Sequence, residues 1–334
     1  MYKIIPILLL LAFYVCICHA QTPSATDYSV QSYLISPSLA GNFLFIEGLH
    51  SKQDCSTSFQ FSARYRNTNT NLSNARDRPK SIGIAIDGFL PNKKFGVGLQ
   101  LNHQSFHLFE ETQAKLSYQY TVGKMNGDNL FFVSIGASAG LSQKQININA
   151  ATVKDISDPA ISDFAVSNLD GVVDFGVTSL LQFGKKQDFI QADFSLLNMQ
   201  TSKGDYGQFN YTAPTLFNAG LKMRIYTDTD HFFALEPLCL IQLPFSKTTN
   251  LASYNIGTNL LISPFGSNPI DQQQDLRLSL GVTGHYLPSN ENKWAFSVQT
   301  GIQFSQHIKG GLGYTFTNIP TGNSAQLNLS YILN

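Results

Sequence analysis

Alternation with a period of two constrains this chain more than any other feature. Residues 95–105 read FGVGLQLNHQS, so Phe95, Val97, Leu99 and Leu101 alternate with Gly96, Gly98, Gln100 and Asn102. The pattern returns at Leu116, Tyr118, Tyr120 and Val122, at Phe296, Val298, Thr300, Ile302 and Phe304, and at Leu327, Leu329 and Tyr331. Successive side chains of a strand point to opposite faces, so each segment has one apolar and one polar face. Fourteen such segments are legible, near residues 56–66, 80–90, 95–105, 113–123, 130–142, 171–183, 188–197, 215–226, 231–242, 252–263, 275–286, 294–304, 310–317 and 325–333. Most run about ten residues, the length a tilted strand needs to cross an outer membrane.

The charges say which face meets what. Arg64, Arg66, Asp87, Lys115, Asp174, Asp193, Lys222, Arg224, Glu236 and Arg277 all occupy the polar register, and the apolar register of these spans carries a charge only at span ends, Lys80 and Asp188. A lipid-facing charge near the midplane costs about 2–4 kcal/mol, whereas a lumen-facing charge stays hydrated or paired. A soluble β-sandwich also alternates, but its polar face would carry more Lys and Glu. Only 13% of the 334 residues are charged, against about a quarter in soluble domains. The net charge is zero, so nothing basic suggests nucleic acid.

The N-terminus has the form of a signal peptide. Lys3 supplies the positive charge, residues 4–18 are apolar, and Cys18-His19-Ala20 places small residues at the −3 and −1 positions before Gln21. Cleavage after Ala20 leaves Cys55 and Cys239. Cys239 falls in the lipid-facing register, which argues against pairing with Cys55. The expected organisation is a signal peptide at 1–20, an N-terminal periplasmic or plug segment at 21–55, and the barrel at 56–334. Connection lengths agree with the termini lying in the periplasm. The connections at 91–94, 184–187 and 227–230 are short, while 67–79, 143–170 and 198–214 are long and fall outside. The stretch 264–274 is long for a periplasmic turn.

No constellation for chemistry stands out. His103, His107 and Glu111 are spaced to share a strand face but are better read as ordinary polar contacts. The loop 143–170 holds Asp155, Asp158, Asp163 and Asp170 around DISDPAISDF. Its spacing matches no calcium motif, and it reads as a solvated loop at the barrel mouth, with Asp155, Asp158, Pro159 and Asp163 as candidate contact residues. No Ser, His and acid stand in a nucleophile context such as GxSxG. No enzyme, cofactor or metal is expected. Residues 33–42, YLISPSLAGN, are apolar yet contain Pro37 and Gly41, which suit a fixed turn and not a central strand. Tyr33, Pro37, Leu39, Ala40 and Gly41 are the candidate plug or partner-binding residues.

DYSVQSYLISPSLAGN after a signal peptide resembles the N-terminal signature of the PorP/SprF family, a Tyr followed by an Asn-Pro pair and an aromatic-Ala-Gly. Tyr33, Pro37, Ala40 and Gly41 match, while Ser36 and Leu39 replace the usual Asn and Tyr. ARYRN at 63–67, residues 78–106, KLSYQYTVGK at 115–124, SDPAISDF followed by VVDFGV at 172–177, and LNLSY at 327–331 are similar to later family elements in the same order. The chain departs at its end, Ile332-Leu333-Asn334, where Tyr331 stands in for a terminal aromatic. The resemblance implies an outer-membrane protein of the type IX secretion and gliding machinery of Bacteroidota. Its partners would be other secretion components and the C-terminal domain of a large surface adhesin that it docks, exports or anchors. Ser36 and Leu39 favour a divergent, cargo-dedicated member. The alternative is a passive outer-membrane porin or small-solute channel.

Overall fold

The computed structural model describes residues 36–40, fourteen strands and a few residues beside them. The strands are β1 (Ser58–Thr68), β2 (Lys80–Leu90), β3 (Phe95–Phe106), β4 (Phe109–Asn126), β5 (Asn129–Ile146), β6 (Ser167–Phe183), β7 (Asp188–Gln200), β8 (Thr215–Tyr226), β9 (Phe233–Phe245), β10 (Ser253–Ile262), β11 (Arg277–Leu287), β12 (Lys293–Phe304), β13 (Ile308–Thr317) and β14 (Ser324–Leu333). Each pairs antiparallel with its sequence neighbours, and β1 pairs with β14 from Phe59 opposite Leu333 to Thr68 opposite Ser324. That pairing closes the sheet into a barrel and removes both edges.

The two registers separate as the charges require. Along β4, Lys115, Ser117, Gln119 and Thr121 are buried, while Leu116, Tyr118, Tyr120 and Val122 are exposed. Along β14, Ser324, Gln326, Asn328 and Ser330 are buried, and Leu327, Leu329, Tyr331 and Leu333 are exposed. The apolar face therefore looks outward and the polar face lines the lumen. In a membrane this inversion satisfies both solvents, because the closed ladder leaves no backbone group unpaired against lipid. Cys239 lies outward on β9, between inward Leu238 and Leu240, while Cys55 falls outside the described residues.

Strands β4, β5 and β6 are longer than the alternation suggests. The segment 143–170, read from the sequence as one loop, contributes residues 143–146 to β5 and 167–170 to β6. Gln143 pairs with Leu169 and Gln145 with Ser167, so the backbone ladder continues past the expected strand ends. Asp170 therefore belongs to a strand rather than to the loop's acidic group. Likewise β7 runs on to Gln200, past the expected loop start at 198. His103 and Glu111 stand on either side of the β3–β4 turn and share no face. His103 pairs with Thr112, its Nδ1 3.0 Å from the Thr112 hydroxyl, whereas Glu111 is opposite Gln104. Opposed residues share a face and successive ones do not, so His103 and Glu111 point to opposite sides of the wall. His107 lies outside the described residues.

Candidate functional site

The interior of the barrel is the site. Among the N-terminal candidates, Pro37, Leu39 and Ala40 are described, and Tyr33 and Gly41 are not. Pro37–Leu39 form one 3₁₀ turn, held by the Leu39 N–H on the Ser36 carbonyl at 3.0 Å and the Ala40 N–H on the Pro37 carbonyl at 3.3 Å. Pro at the first position suits this turn, since its φ is preset and its missing N–H is not needed there. All five residues from Ser36 to Ala40 are buried. They pack against the inner face of the wall on β2, β3, β5 and β6. Leu39 and Ala40 pack on inward Ala85 of β2, and the Ser38 hydroxyl is 2.6 Å from Ser36 Oγ and 2.6 Å from Thr178 Oγ1 on β6.

The wall has been cut back to receive this turn. A Cβ on Gly136 would stand 2.5 Å from the Pro37 carbonyl carbon, and one on Gly176 would meet the Ser36 hydroxyl and come within 3.0 Å of Pro37 Cδ. A Cβ on Gly96 would collide with the Ala40 carbonyl oxygen. Each glycine sits in the inward register of its strand, where the alternation alone would allow any polar side chain. Backbone lies on backbone here, an approach only glycine permits.

Beside this seat the wall carries paired charges. Lys115 Nζ donates to both Asp174 carboxylate oxygens, at 2.8 and 3.0 Å, and to Asn198 Oδ1 at 3.1 Å. Asp174 also accepts from Ser138 Oγ at 2.5 Å and from the Asn198 backbone N–H at 2.7 Å. The last bond exists because the register between β6 and β7 slips between Val173 and Phe175, with Asn198 at φ 57°. That bulge turns a backbone donor toward the carboxylate. Farther round, Arg224 binds Glu236 through Nε at 2.7 Å and Nη2 at 2.6 Å, with its guanidinium carbon 5.1 Å from the centre of the Phe189 ring. Lys222 is 3.8 Å from Glu236, and Lys144 is 3.7 Å from Asp170. The sequence placed Lys115, Asp174, Lys222, Arg224 and Glu236 inward without showing which ones pair, and it read Lys144 and Asp170 as loop.

On β10 to β12 an uncharged hydrogen-bonded set lines part of the wall. His285 bonds Asn255 through Nδ1, and its Nε2 is 2.8 Å from Ser297 Oγ, which is also 2.8 Å from Thr315 Oγ1. Hydroxyl, imidazole and amide stand in the order of a catalytic triad. However, Ser297 is 1% exposed, and the neighbouring backbone N–H groups lie in paired strands that offer no pre-aimed oxyanion site. With Thr315 the set reads as a hydrogen-bonded ladder across four strands, β10 to β13. Asp155, Asp158, Pro159 and Asp163 lie outside the described residues, and among the described residues no group of three or more His, Cys, Asp or Glu side chains is arranged to hold a metal.

A closed fourteen-stranded barrel with a lipid-compatible exterior and a polar interior defines the class, an outer-membrane β-barrel. General likeness to solved barrels goes with it. A FadL homologue from Pseudomonas aeruginosa is similar at a TM-score of 0.44 and 10% identity, covering 94% of this chain and 99% of that one. Omp33 of Acinetobacter baumannii is similar at 0.43 and 10% identity, covering 82% and 96%. The translocator domain of the autotransporter NalP from Neisseria meningitidis is similar at 0.34 and 7% identity, covering 92% and 99%. None of these likenesses bears on function. No curated protein matches the chain in sequence. The family model for the type IX secretion system membrane protein PorP/SprF matches residues 17–331, and the chain belongs to that family. Its place is the outer membrane.

Proposed function

We propose that this barrel docks a large surface adhesin during export, or anchors it afterwards, and makes and breaks no bond itself. Family membership supplies the setting, a membrane protein of type IX secretion. The observation that supports docking over passive conduction is the burial of the lumen wall. Inward Gln119, Thr178 and Gln242 are fully buried, and Asn255 and Thr283, on another part of the wall, are each 1% exposed. A water-filled pore would hydrate such side chains. A filled lumen leaves the barrel ends and connections as the surfaces for protein partners, and Asp155, Asp158, Pro159 and Asp163 lie in the longest of these. Other secretion components and the C-terminal domain of the adhesin are the partners in this reading.

The test is affinity purification of the tagged protein from its native membrane. An adhesin or a secretion component should be recovered in stoichiometric amount, and recovery of neither would overturn the reading. Deleting residues 150–165 should cut adhesin recovery at least several-fold while the barrel still assembles.

A further inference from the structure

We infer that residues 36–40 are a latch, seated in a notch of the lumen wall, that keeps the barrel closed to small solutes. Three observations converge on it. The notch is built from separate strands, with Gly96 on β3, Gly136 on β5 and Gly176 on β6 each lacking the one atom that would collide with the turn. The turn is wholly withdrawn from solvent. One side-chain hydrogen bond ties it to the wall across 140 positions of sequence, Ser38 to Thr178.

The chemistry of the seat fits a latch that can lift. The turn and wall share shape, an apolar contact of Leu39, Ala40 and Ala85 and one hydroxyl pair, with no ion pair holding 36–40 among the described contacts. An emptied notch would expose Thr178 and glycine backbone, which water can solvate. The charged network of Lys115, Asp174 and Asn198 bonds within the wall and survives the turn's departure. Closure therefore rests on fit, and a branched side chain in the notch should abolish it without unpairing the strands. The inference rests on the same closed lumen as the docking reading, but thiol labelling at position 38 reads the turn alone while adhesin recovery reads docking, so the two fail separately.

The test joins conductance with thiol labelling, in a background with Cys55 and Cys239 replaced by Ala. Purified protein in planar bilayers should show no steady conductance. Gly136→Val should give one, with heat-modifiable migration confirming an intact barrel. Ser38→Cys should react with a water-soluble maleimide about tenfold or more slowly than the same protein in denaturant, the protection expected of a buried site that opens only locally. The added Gly136→Val change should remove that protection. If Gly136→Val does not assemble, protection at position 38 in the otherwise native barrel still decides whether the seat is occupied. Steady conductance from the native protein, an unprotected Cys at 38, or a labelled, expelled turn in a barrel that stays silent would each overturn the inference.

Discussion

Asp174 shows what a buried charge needs in this wall. It takes a lysine, a serine hydroxyl and a backbone N–H, all within 3.0 Å, so its carboxylate oxygens are well provided for. Removing one partner of a buried pair strands the other charge, at about 3–5 kcal/mol. Lys115→Ala should therefore lower barrel stability by about 3 kcal/mol, read as a lower urea midpoint for unfolding from vesicles. Lys115→Met combined with Asp174→Leu should recover most of that loss, because apolar side chains of similar volume leave no orphaned charge. That Lys115 and Asp174 face inward was legible in the alternation. Their pairing was not, since they lie 59 positions apart and meet only through β5.

The bulge in β7 is the clearest departure from regular pairing. Leu196 and Leu197 break the alternation, and the structure places the slip beside them, with Asn198 in the left-handed region at φ 57°. Asn tolerates that conformation better than branched residues do. Asn198→Gly should keep the bulge and lose only the Lys115 contact. Asn198→Val should cost about 1–3 kcal/mol and slow assembly, measured by the time course of heat-modifiable migration. Elsewhere the strands were readable because each face meets a single solvent over about ten residues. The extensions of β4, β5 and β6 were not, since past the membrane belt the ladder continues with no apolar signal. His103 and Glu111 are ordinary polar residues on opposite sides of the wall, because counting along the chain does not give side-chain parity across a tight turn.

For the whole molecule, the exterior and the lumen obey opposite rules. Leu116 is 63% exposed in the middle of the outward belt of β4. Leu116→Arg should cost about 2–4 kcal/mol, checked by equilibrium folding into lipid vesicles. The N-terminal turn separates assembly from transport. Replacing Pro37 and Gly41 together should impair barrel assembly if the segment acts as a plug. Normal assembly with lost adhesin export would instead mark it as a contact surface for a secretion partner, and cell-surface adhesin immunoblots distinguish the two.

Barrel, strand count and facing were written in the chain, because a membrane imposes one rule on every second residue and the rule repeats fourteen times. The turn at residues 36–40 was legible as a turn, from Pro37 and Gly41, and Gly96, Gly136 and Gly176 were visible as small inward residues. That these belong together was decided by closure of the sheet. The curved wall brings β2, β3, β5 and β6 to bear on one five-residue segment. Contacts between residues 56 to 140 positions apart, from Ala40–Gly96 to Ser38–Thr178, leave no periodic trace in a sequence.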